Sequence, residues 1–271
     1  MRQIFLTLGL LLVFAAMAQA QDSALSSMQT GDAARGWEAV GRLDIDDKGF
    51  CTGALIAPEL VLTAAHCLYD NATATQIDPA RIQFLAGMRN GRALAYRGVR
   101  RAVVHPAYVH HGDGDTSTVQ FDVALLELDQ PIRSTQIVPF ETAQGATAGT
   151  QVGVVSYAHD RAEAPSLQQV CAIIGEQQGM FVTTCNIDFG SSGAPIFRME
   201  NGVARIVSVV SGKAELNSAT ISFGSVLAEP LTLLRAQLAA GGGTYQNTPP
   251  TQVRVITSGE RTQTGAKFVR P

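Results

Sequence analysis

The chain has 271 residues, of which 46% are hydrophobic and 16% charged, with a formal net charge of −3 at pH 7. That length is enough for one large domain or two smaller ones with a sizeable core. The charge leaves no strongly basic face of the kind that nucleic-acid binding requires, so we expect no nucleic-acid partner.

Residues 1–20 have the features of a secretory signal. Arg2 precedes an uncharged apolar run from Ile4 to Ala16, and Ala18-Gln19-Ala20 follows as a small-x-small cleavage sequence. The run is shorter than the roughly 20 apolar residues that span a bilayer. We therefore expect a protein exported to the extracellular space or the periplasm, with its mature part beginning near Gln21 and no attachment to a membrane.

From Trp37 to about Arg235 the sequence consists of short apolar runs broken by Gly, Pro, Asp and Asn, which is typical of strands and turns. Ten runs are predicted as strands: Ala54–Ile56, Leu60–Ala64, Arg81–Leu85, Val99–Val104, Val123–Leu128, Gln151–Tyr157, Gln169–Ile174, Met180–Thr184, Arg205–Val210 and Ala219–Val226. One stretch, Pro230–Ala240, has a helical period, with Pro at its start and Gly241 directly after it. The sequence therefore predicts an all-β protein with one short C-terminal helix.

The turn-rich sequence ETAQGATAG divides the strand-bearing region into halves of similar length. We predict one β unit over residues 36–140 and a second, together with the helix, over residues 141–240. The polar residues 21–35 are interpreted as a leader or a loosely held N-terminus. Residues 241–271 begin with a Gly-, Thr-, Pro- and Gln-rich linker and end with a basic segment, which indicates a flexible tail.

Four cysteines remain after export, Cys51, Cys67, Cys171 and Cys185, and an even number in an oxidising compartment suggests two disulfides. Three pairings are possible. Pairing of near neighbours would give each half of the chain one disulfide, as two separate β units would use. No Cys-x-x-Cys occurs and the histidines are not spaced as a zinc set, so we expect no metal.

The sequence GSSGAP, from Gly190 to Pro195, raises the question of chemistry. Gly, Ser and Pro are ordinary turn residues, and the motif alone favours a structural turn. A serine hydroxyl becomes a nucleophile only when a base takes its proton and a carboxylate orients that base. The catalytic interpretation of Ser192 therefore requires a histidine and an acidic residue elsewhere in the chain.

Both partners have candidates upstream. An apolar strand leads into TAAHC, where His66 is either a histidine packed at a strand end or a general base whose loop Cys67 could fix. Asp122 stands between a phenylalanine and a wholly apolar run, where a charge would be costly without a partner. The alternative carboxylates, Asp113 and Asp115, lie in a polar glycine-rich loop and are interpreted as solvated.

The chain resembles the chymotrypsin/trypsin-like serine endopeptidases, in style closer to their bacterial secreted branch. Five short motifs occur in the order of that family. They are TAAHC around His66, HPAY from His105, DVALL from Asp122, GSSGAP from Gly190, and IVS ending at Ser208.

The resemblance implies two antiparallel six-stranded β-barrels with the active site between them. Ser192 would attack the scissile carbonyl, His66 would act as general base, and Asp122 would orient the imidazole. The backbone N–H groups of Gly190 and Ser192 would form the oxyanion hole. The expected partner is a protein or peptide substrate, and the expected protein is a monomer without a cofactor.

The resemblance also implies a substrate pocket formed by Asn186, Ser208 and Val210. Asn186 lies six residues before the nucleophile, where an aspartate would select basic side chains. Val210 stands in place of a common glycine and would narrow the pocket, and Val207 replaces the histidine that glutamate-specific bacterial relatives commonly have. We therefore expect a preference for small or medium uncharged side chains.

Two features of zymogen activation are absent from the sequence. Ser191 stands where the animal digestive enzymes have the aspartate that receives a new amino terminus, and no Ile-Val-Gly-Gly-like sequence precedes Trp37. We expect that the oxyanion loop is ordered without insertion of the chain terminus.

Three other interpretations compete with these. His110 and His111, with Asp113 and Asp115, could bind a cation, but a solvated loop is favoured. The protein could be a catalytically inactive protease fold used as a binding or adhesion module. An esterase-type hydrolase is disfavoured because the Gly-x-Ser-x-Gly sequence and the order Ser, Asp, His are not seen.

Overall fold

The computed structural model describes residues 21–46, 49–111, 116–217 and 219–246. The predicted signal segment and most of the predicted tail lie outside these ranges. The described chain begins with the short strand β1 (Ser26–Ser27) and then forms two closed, six-stranded antiparallel barrels, so the predicted fold class is confirmed. Within the described ranges, no helix has the length and apolar character needed to cross a lipid bilayer.

The first barrel contains six strands: β2 (Val40–Ile45), β3 (Gly49–Ala57), β4 (Leu60–Thr63), β5 (Ile82–Ala86), β6 (Ala95–Val104) and β7 (Ala124–Leu128). Their order around the barrel is β6, β5, β2, β3, β4, β7, and pairing of β6 with β7 closes it. Leu43, Leu55, Phe84 and Leu125 are fully buried in its core. Burying each such side chain contributes about 1.5–3 kcal/mol, which makes this core the main source of the barrel's stability.

The second barrel follows the short strand β8 (Glu141–Thr142). Its strands are β9 (Gln151–Ser156), β10 (Ser166–Gln177), β11 (Met180–Thr183), β12 (Pro195–Glu200), β13 (Val203–Leu216) and β14 (Ala219–Val226). Their order is β10, β11, β14, β13, β12, β9, and pairing of β9 with β10 closes the barrel. Val154, Ile173, Ile196 and Val210 are buried in its core.

The C-terminal helix returns to the first barrel. Helix α1 (Ala228–Ala239) begins two residues before the predicted stretch, and its side chains Leu231 and Leu234 pack in the first barrel's core beside β6 and β7. The strand β15 (Thr244–Tyr245) then pairs with β6. The prediction grouped the helix with the second barrel and the segment after it with a flexible tail. Apolar packing and backbone pairing instead attach both to the first barrel.

The N-terminal segment precedes the first barrel in sequence but pairs with the second barrel. Strand β1 pairs with β10 of the second barrel, and the backbone N–H groups of Ser23 and Met28 donate to the carbonyls of Val170 and Pro165 at 2.8 and 2.9 Å. The side chain of Met28 is 2% exposed. The described residues of the predicted leader are therefore held in place by main-chain pairing and by the buried side chains of Met28 and Ala34, rather than loosely attached.

Two disulfides are present, one in each barrel. Cys51 on β3 is bonded to Cys67, which lies shortly after β4, and Cys171 on β10 is bonded to Cys185, which lies shortly after β11. Of the three pairings that the sequence allows, the structure has the one between near neighbours. Each disulfide ties a strand to the loop that follows its neighbouring strand.

Truncation of Met28 tests the structural role of the N-terminal segment. Met28→Ala should lower the free energy of unfolding by about 2–5 kcal/mol, because a buried side chain is lost and leaves a cavity. Met199, which is 56% exposed, provides the matched control, since Met199→Ala should change stability by less than about 0.5 kcal/mol. Denaturant unfolding measures both. Equal, small effects would contradict an anchoring role for Met28.

Candidate active site

Two neighbouring strands bring His66 and Asp122 together. β4 and β7 are antiparallel, with Thr63 opposite Ala124. His66 follows the end of β4 and Asp122 precedes the start of β7, so residues 56 positions apart in sequence become neighbours in space. Nδ1 of His66 lies 2.7 Å from Oδ2 of Asp122, and the backbone N–H of His66 donates to Oδ1 at 2.8 Å.

Asp122 is a buried carboxylate whose charge is compensated. Burial alone would raise its pKa, but the attraction of His66 and the hydrogen bonds from the His66 ring, the Ser211 hydroxyl and the His66 backbone outweigh burial. The pKa of Asp122 is therefore held below its ordinary value. An anionic Asp122 accepts the Nδ1–H of His66, which leaves the lone pair of the neutral ring on Nε2.

Ser211 was not among the predicted site residues. It lies on β13, and its hydroxyl donates to Oδ2 of Asp122. The serine predicted for the site on this strand was Ser208, three residues earlier. Ser208 is instead fully buried, and its hydroxyl donates to the carbonyl of Ser225 at 2.8 Å.

A bulge explains the change of register. The pairing of β13 with β14 shifts between Val210 and Gly212, and Ser211 is the extra residue there. The bulge turns its hydroxyl toward the first barrel. The Ser-Gly pair at residues 211–212 was a sequence feature that could have indicated Ser211. The sequence alone, however, did not decide between Ser211 and Ser208.

The loop that carries Ser192 is held by both barrels. The backbone N–H of Thr52, on β3, donates to the carbonyl of Ser192 at 2.8 Å, and the hydroxyl of Thr52 donates to the carbonyl of Gly190 at 2.9 Å. From the second barrel, the carbonyl of Val210 accepts the N–H of Gly193 at 2.8 Å. Within the described chain, no acceptor takes the backbone N–H of Gly190 or of Ser192. These two donors are the ones predicted for an oxyanion hole.

Both glycines of the loop are required by geometry. Gly190 and Gly193 have φ angles of +93° and +77°, which L side chains rarely adopt. A Cβ atom on Gly190 would lie 2.3 Å from Cε2 of Phe50. A Cβ atom on Gly193 would lie 2.1 Å from Oγ1 of Thr63 and 2.3 Å from the carbonyl oxygen of Thr52. Any side chain at Gly193 would push the loop away from the first barrel.

Ser191 is a buried structural residue of the same loop. Its hydroxyl lies 3.1 Å from both Oγ of Ser156 and the carbonyl oxygen of Tyr157, and it accepts the backbone N–H of Asp188 at 3.2 Å. A neutral, hydrogen-bonded hydroxyl occupies this position without needing a counter-charge.

Ser192, His66 and Asp122 line one cleft of about 390 Å³. One wall of this cleft is formed by Ile187, Asp188 and Phe189, just before the nucleophile loop. The opposite wall is formed by β13 and β14, with the lining residues Ser211, Gly212, Lys213, Ala214 and Phe223. Toward the first barrel the cleft continues past Tyr108, His110, His111, Thr116, Thr118 and Val119.

The three residues predicted for the pocket do not line this cleft. Asn186 is exposed, and its backbone N–H donates to Oε1 of Gln168 at 2.7 Å. Ser208 and Val210 are fully buried within the second barrel. On β13, the cleft is lined by Ser211 and the residues after it, whereas the short motif ending at Ser208 placed the lining three residues too early.

Two groups of candidate metal ligands can be compared with the structure. Cys51, His66 and Cys67 are the one group of three that the described residues bring within reach of an ion, but both sulfurs are joined in a disulfide and offer no thiolate. His110 stacks on Tyr69 at 5.2 Å, and its Nδ1 lies 3.2 Å from the hydroxyl of Tyr108. The aspartates proposed beside His110 lie outside the described residues.

A serine, a histidine and a buried aspartate lining the cleft of a two-barrel fold is the arrangement of the chymotrypsin-like serine proteases. The sequence model of the trypsin family matches residues 29–225, well over half of the chain, and the chain belongs to that family. The family inferred from the five motifs is therefore confirmed.

Several known proteins are similar to this chain. Glutamyl endopeptidase of Bacillus licheniformis is 25% identical over 154 residues, which cover 56% of this chain and 46% of that protein. Trypsin of Simulium vittatum is 38% identical over 82 residues, covering 30% of this chain and 28% of that protein. The chain thus spans less than half the length of these curated relatives. A solved structure of a Glu endopeptidase in complex with MPD has 18% identity and a TM-score of 0.65, covering 81% of this chain and 98% of that one, a likeness in fold.

A substitution at Gly193 tests the loop geometry. Gly193→Ala should destabilise the loop and abolish reactivity at Ser192, because its Cβ would overlap backbone and side-chain atoms of the first barrel. Gly145, with φ of +76° and nothing within 4 Å of its Cβ position, is the matched control. Gly145→Ala should cost only about 1–2 kcal/mol from the left-handed backbone and leave reactivity unchanged. Thermal unfolding and labelling of Ser192 measure the two effects. Equal behaviour of the two variants would contradict the close approach at Gly193.

Proposed function

We propose that the protein is an exported serine endopeptidase of the bacterial secreted type, which hydrolyses peptide bonds through an acyl-enzyme. The observation that carries this proposal is the 2.7 Å contact between His66 and the buried Asp122, in the wall of the cleft that Ser192 also lines. Membership of the trypsin family supports a peptidase. The proposed reaction uses the protein's own side chains and needs no metal or cofactor.

In the proposed mechanism, Oγ of Ser192 attacks the scissile carbonyl carbon and its proton passes to Nε2 of His66. Asp122 accepts the Nδ1–H and stabilises the imidazolium that forms. The N–H groups of Gly190 and Ser192 stabilise the oxyanion. His66 then returns the proton to the departing amine, leaving an ester on Ser192 that a water molecule, activated by His66, hydrolyses.

The edge of β13 supports an extended peptide as substrate. Residues 212–216 pair with β14 on one side, whereas the described pairing of β13 with β12 ends at Val209. No strand of the described chain covers the other edge of residues 212–216. A peptide could add there as one more antiparallel strand, with its side chains alternately entering the cleft.

Export is supported by the sequence of residues 1–20 and by both disulfides, which form in oxidising compartments. One similar protein is named a glutamyl endopeptidase, but we do not extend glutamate specificity to this chain. Because Ser211 and not Ser208 contacts Asp122, the residue before the site serine of β13 is Val210. In glutamate-specific relatives, the resemblance implies a histidine at that position.

A catalytically inactive binding module is the alternative function. It is not favoured, because a binding module has no need of a buried carboxylate, Asp122, that is hydrogen-bonded to His66. Nor does it need two backbone N–H groups, those of Gly190 and Ser192, without an acceptor in the described chain. These features carry a cost in stability that a binding surface would not require.

Labelling with a fluorophosphonate probe tests the proposal. The purified mature protein should be modified at Ser192, and Ser192→Ala should abolish modification, because such probes need an activated serine. Asp122→Asn should reduce peptide hydrolysis by about 10⁴-fold, since the histidine would be held in the wrong tautomer. Ser134→Ala, at an exposed serine, is the control. Absence of labelling in folded protein with both disulfides intact, or labelling at Ser191, would contradict the proposal.

Trimming of the N-terminal segment tests whether activation requires a new chain terminus. Because the Ser191 hydroxyl already has its partners and Met28 anchors the segment, removal of the residues before Trp37 should leave labelling unchanged or lower its rate. The measurement compares labelling rates of the untrimmed and trimmed proteins. A many-fold increase after cleavage at one defined bond would indicate a zymogen.

A further inference from the structure

Three residues form a rim across the mouth of the cleft, beside the proposed nucleophile. Asp188 and Phe189 lie on the wall before the nucleophile loop, and Lys213 lies on β13 in the opposite wall. Nζ of Lys213 contacts Oδ1 of Asp188 at 2.7 Å, so one ion pair joins the two walls. The same oxygen accepts the backbone N–H of Phe189 at 2.8 Å.

Phe189 completes the rim with an apolar surface. Its side chain is 75% exposed, and Nζ of Lys213 lies 5.3 Å from the centre of its ring. This distance is within the range of a cation–π contact. A large aromatic ring exposed at the mouth of a cleft offers a substrate apolar contact at little conformational cost.

The rim has paired charges, and the wall beside it is apolar. The hydrogen bond from Lys213, and then that from the Phe189 backbone, hold the pKa of Asp188 below its ordinary value, so Asp188 is an anion near neutral pH. The neighbouring lining side chains Ile187, Ala214 and Phe223 carry no charge. A charged substrate side chain entering here therefore meets a paired charge and apolar side chains.

We propose that the Asp188–Lys213 ion pair is the specificity-determining element of the proposed peptidase, and that it selects uncharged, apolar side chains on the acyl side of the scissile bond. The inference rests on the proposed function. An acidic substrate side chain could pair with Lys213 only by displacing Asp188. A basic one could pair with Asp188 only by displacing Lys213. Each exchange breaks one ion pair to form another and leaves one rim charge without its protein partner, so neither kind of charged substrate gains a net ion pair here.

Substitutions of Asp188 and of Lys213 should change the substrate preference in opposite directions. Asp188→Asn keeps the shape but frees the cation of Lys213, which should favour glutamate. Lys213→Met keeps the aliphatic stem but frees the anion of Asp188, which should favour lysine. The double variant restores neutrality and should return the preference to uncharged side chains.

The experiment measures kcat/KM for three peptides that differ only in leucine, glutamate or lysine at the residue before the scissile bond. Fluorophosphonate titration gives the concentration of active enzyme in each preparation. The unmodified protein should prefer leucine over both charged residues by about threefold or more. Asp188→Asn should raise the ratio of kcat/KM for glutamate to that for leucine by about three- to fivefold, and Lys213→Met should raise the lysine-to-leucine ratio by the same factor. This is the size of effect expected for a partly exposed ion pair.

A matched control breaks another ion pair of the second barrel, away from the cleft. Arg205 and Glu141 lie 2.8 Å apart, so Glu141→Gln removes a comparable pair and should leave all three ratios unchanged. Hydrolysis with the same ratios in every variant, or equal turnover of leucine and a charged residue by the unmodified protein, would overturn the inference alone. Absence of both titration and hydrolysis would overturn the proposed function and this inference with it.

Discussion

A single buried threonine joins the two barrels where the candidate nucleophile lies. The N–H of Thr52 donates to the carbonyl of Ser192, its hydroxyl donates to the carbonyl of Gly190, and the same hydroxyl accepts the N–H of Tyr157 at 3.1 Å. Because Thr52 is fully buried, a lost partner would leave an unsatisfied polar group, at a cost of about 1–3 kcal/mol. The two carbonyls that Thr52 fixes belong to Gly190 and Ser192, the residues whose N–H groups are the candidate oxyanion donors.

The residue before Thr52 fixes the other half of the candidate site. Cys51 is bonded to Cys67, the neighbour of His66, so two consecutive positions on β3 tether the nucleophile loop and the histidine turn. Asp122 adds a third connection, because it accepts from His66 in the first barrel and from Ser211 in the second. The relative position of serine, histidine and carboxylate thus depends on β3 and on one buried charge. Such a charge is tolerated only because its hydrogen-bond partners are already in place.

Local patterning predicted most of the fold, and the exceptions have physical causes. All ten predicted strands coincide with observed strands. Of the barrel strands, β2 and β12 were missed, as were the two-residue strands β1, β8 and β15. Gly41 interrupts β2, where the ring of Phe84 occupies the space of a Cβ, and β12 begins at Pro195 within the nucleophile motif. The positions of His66 and Asp122 at strand ends followed from sequence, whereas the choice of Ser211 over Ser208 did not. The bulge depends on how β13 pairs with β14, and the residue types along β13 do not specify that pairing. The roles of the site residues remain predictions.

The described segments before and after the two barrels each connect one barrel to the other. The N-terminal segment pairs β1 with the second barrel and buries Met28 in the apolar cluster that includes the first barrel's core. Helix α1 and β15, which follow the second barrel in sequence, pack on the first barrel. Any change in the relative position of the barrels would have to break these contacts as well as those of Thr52. In this setting the position of Ser191 needs only a neutral hydroxyl, because the loop is already fixed on both sides. An aspartate there would instead be a buried charge, and it would require a partner of opposite charge.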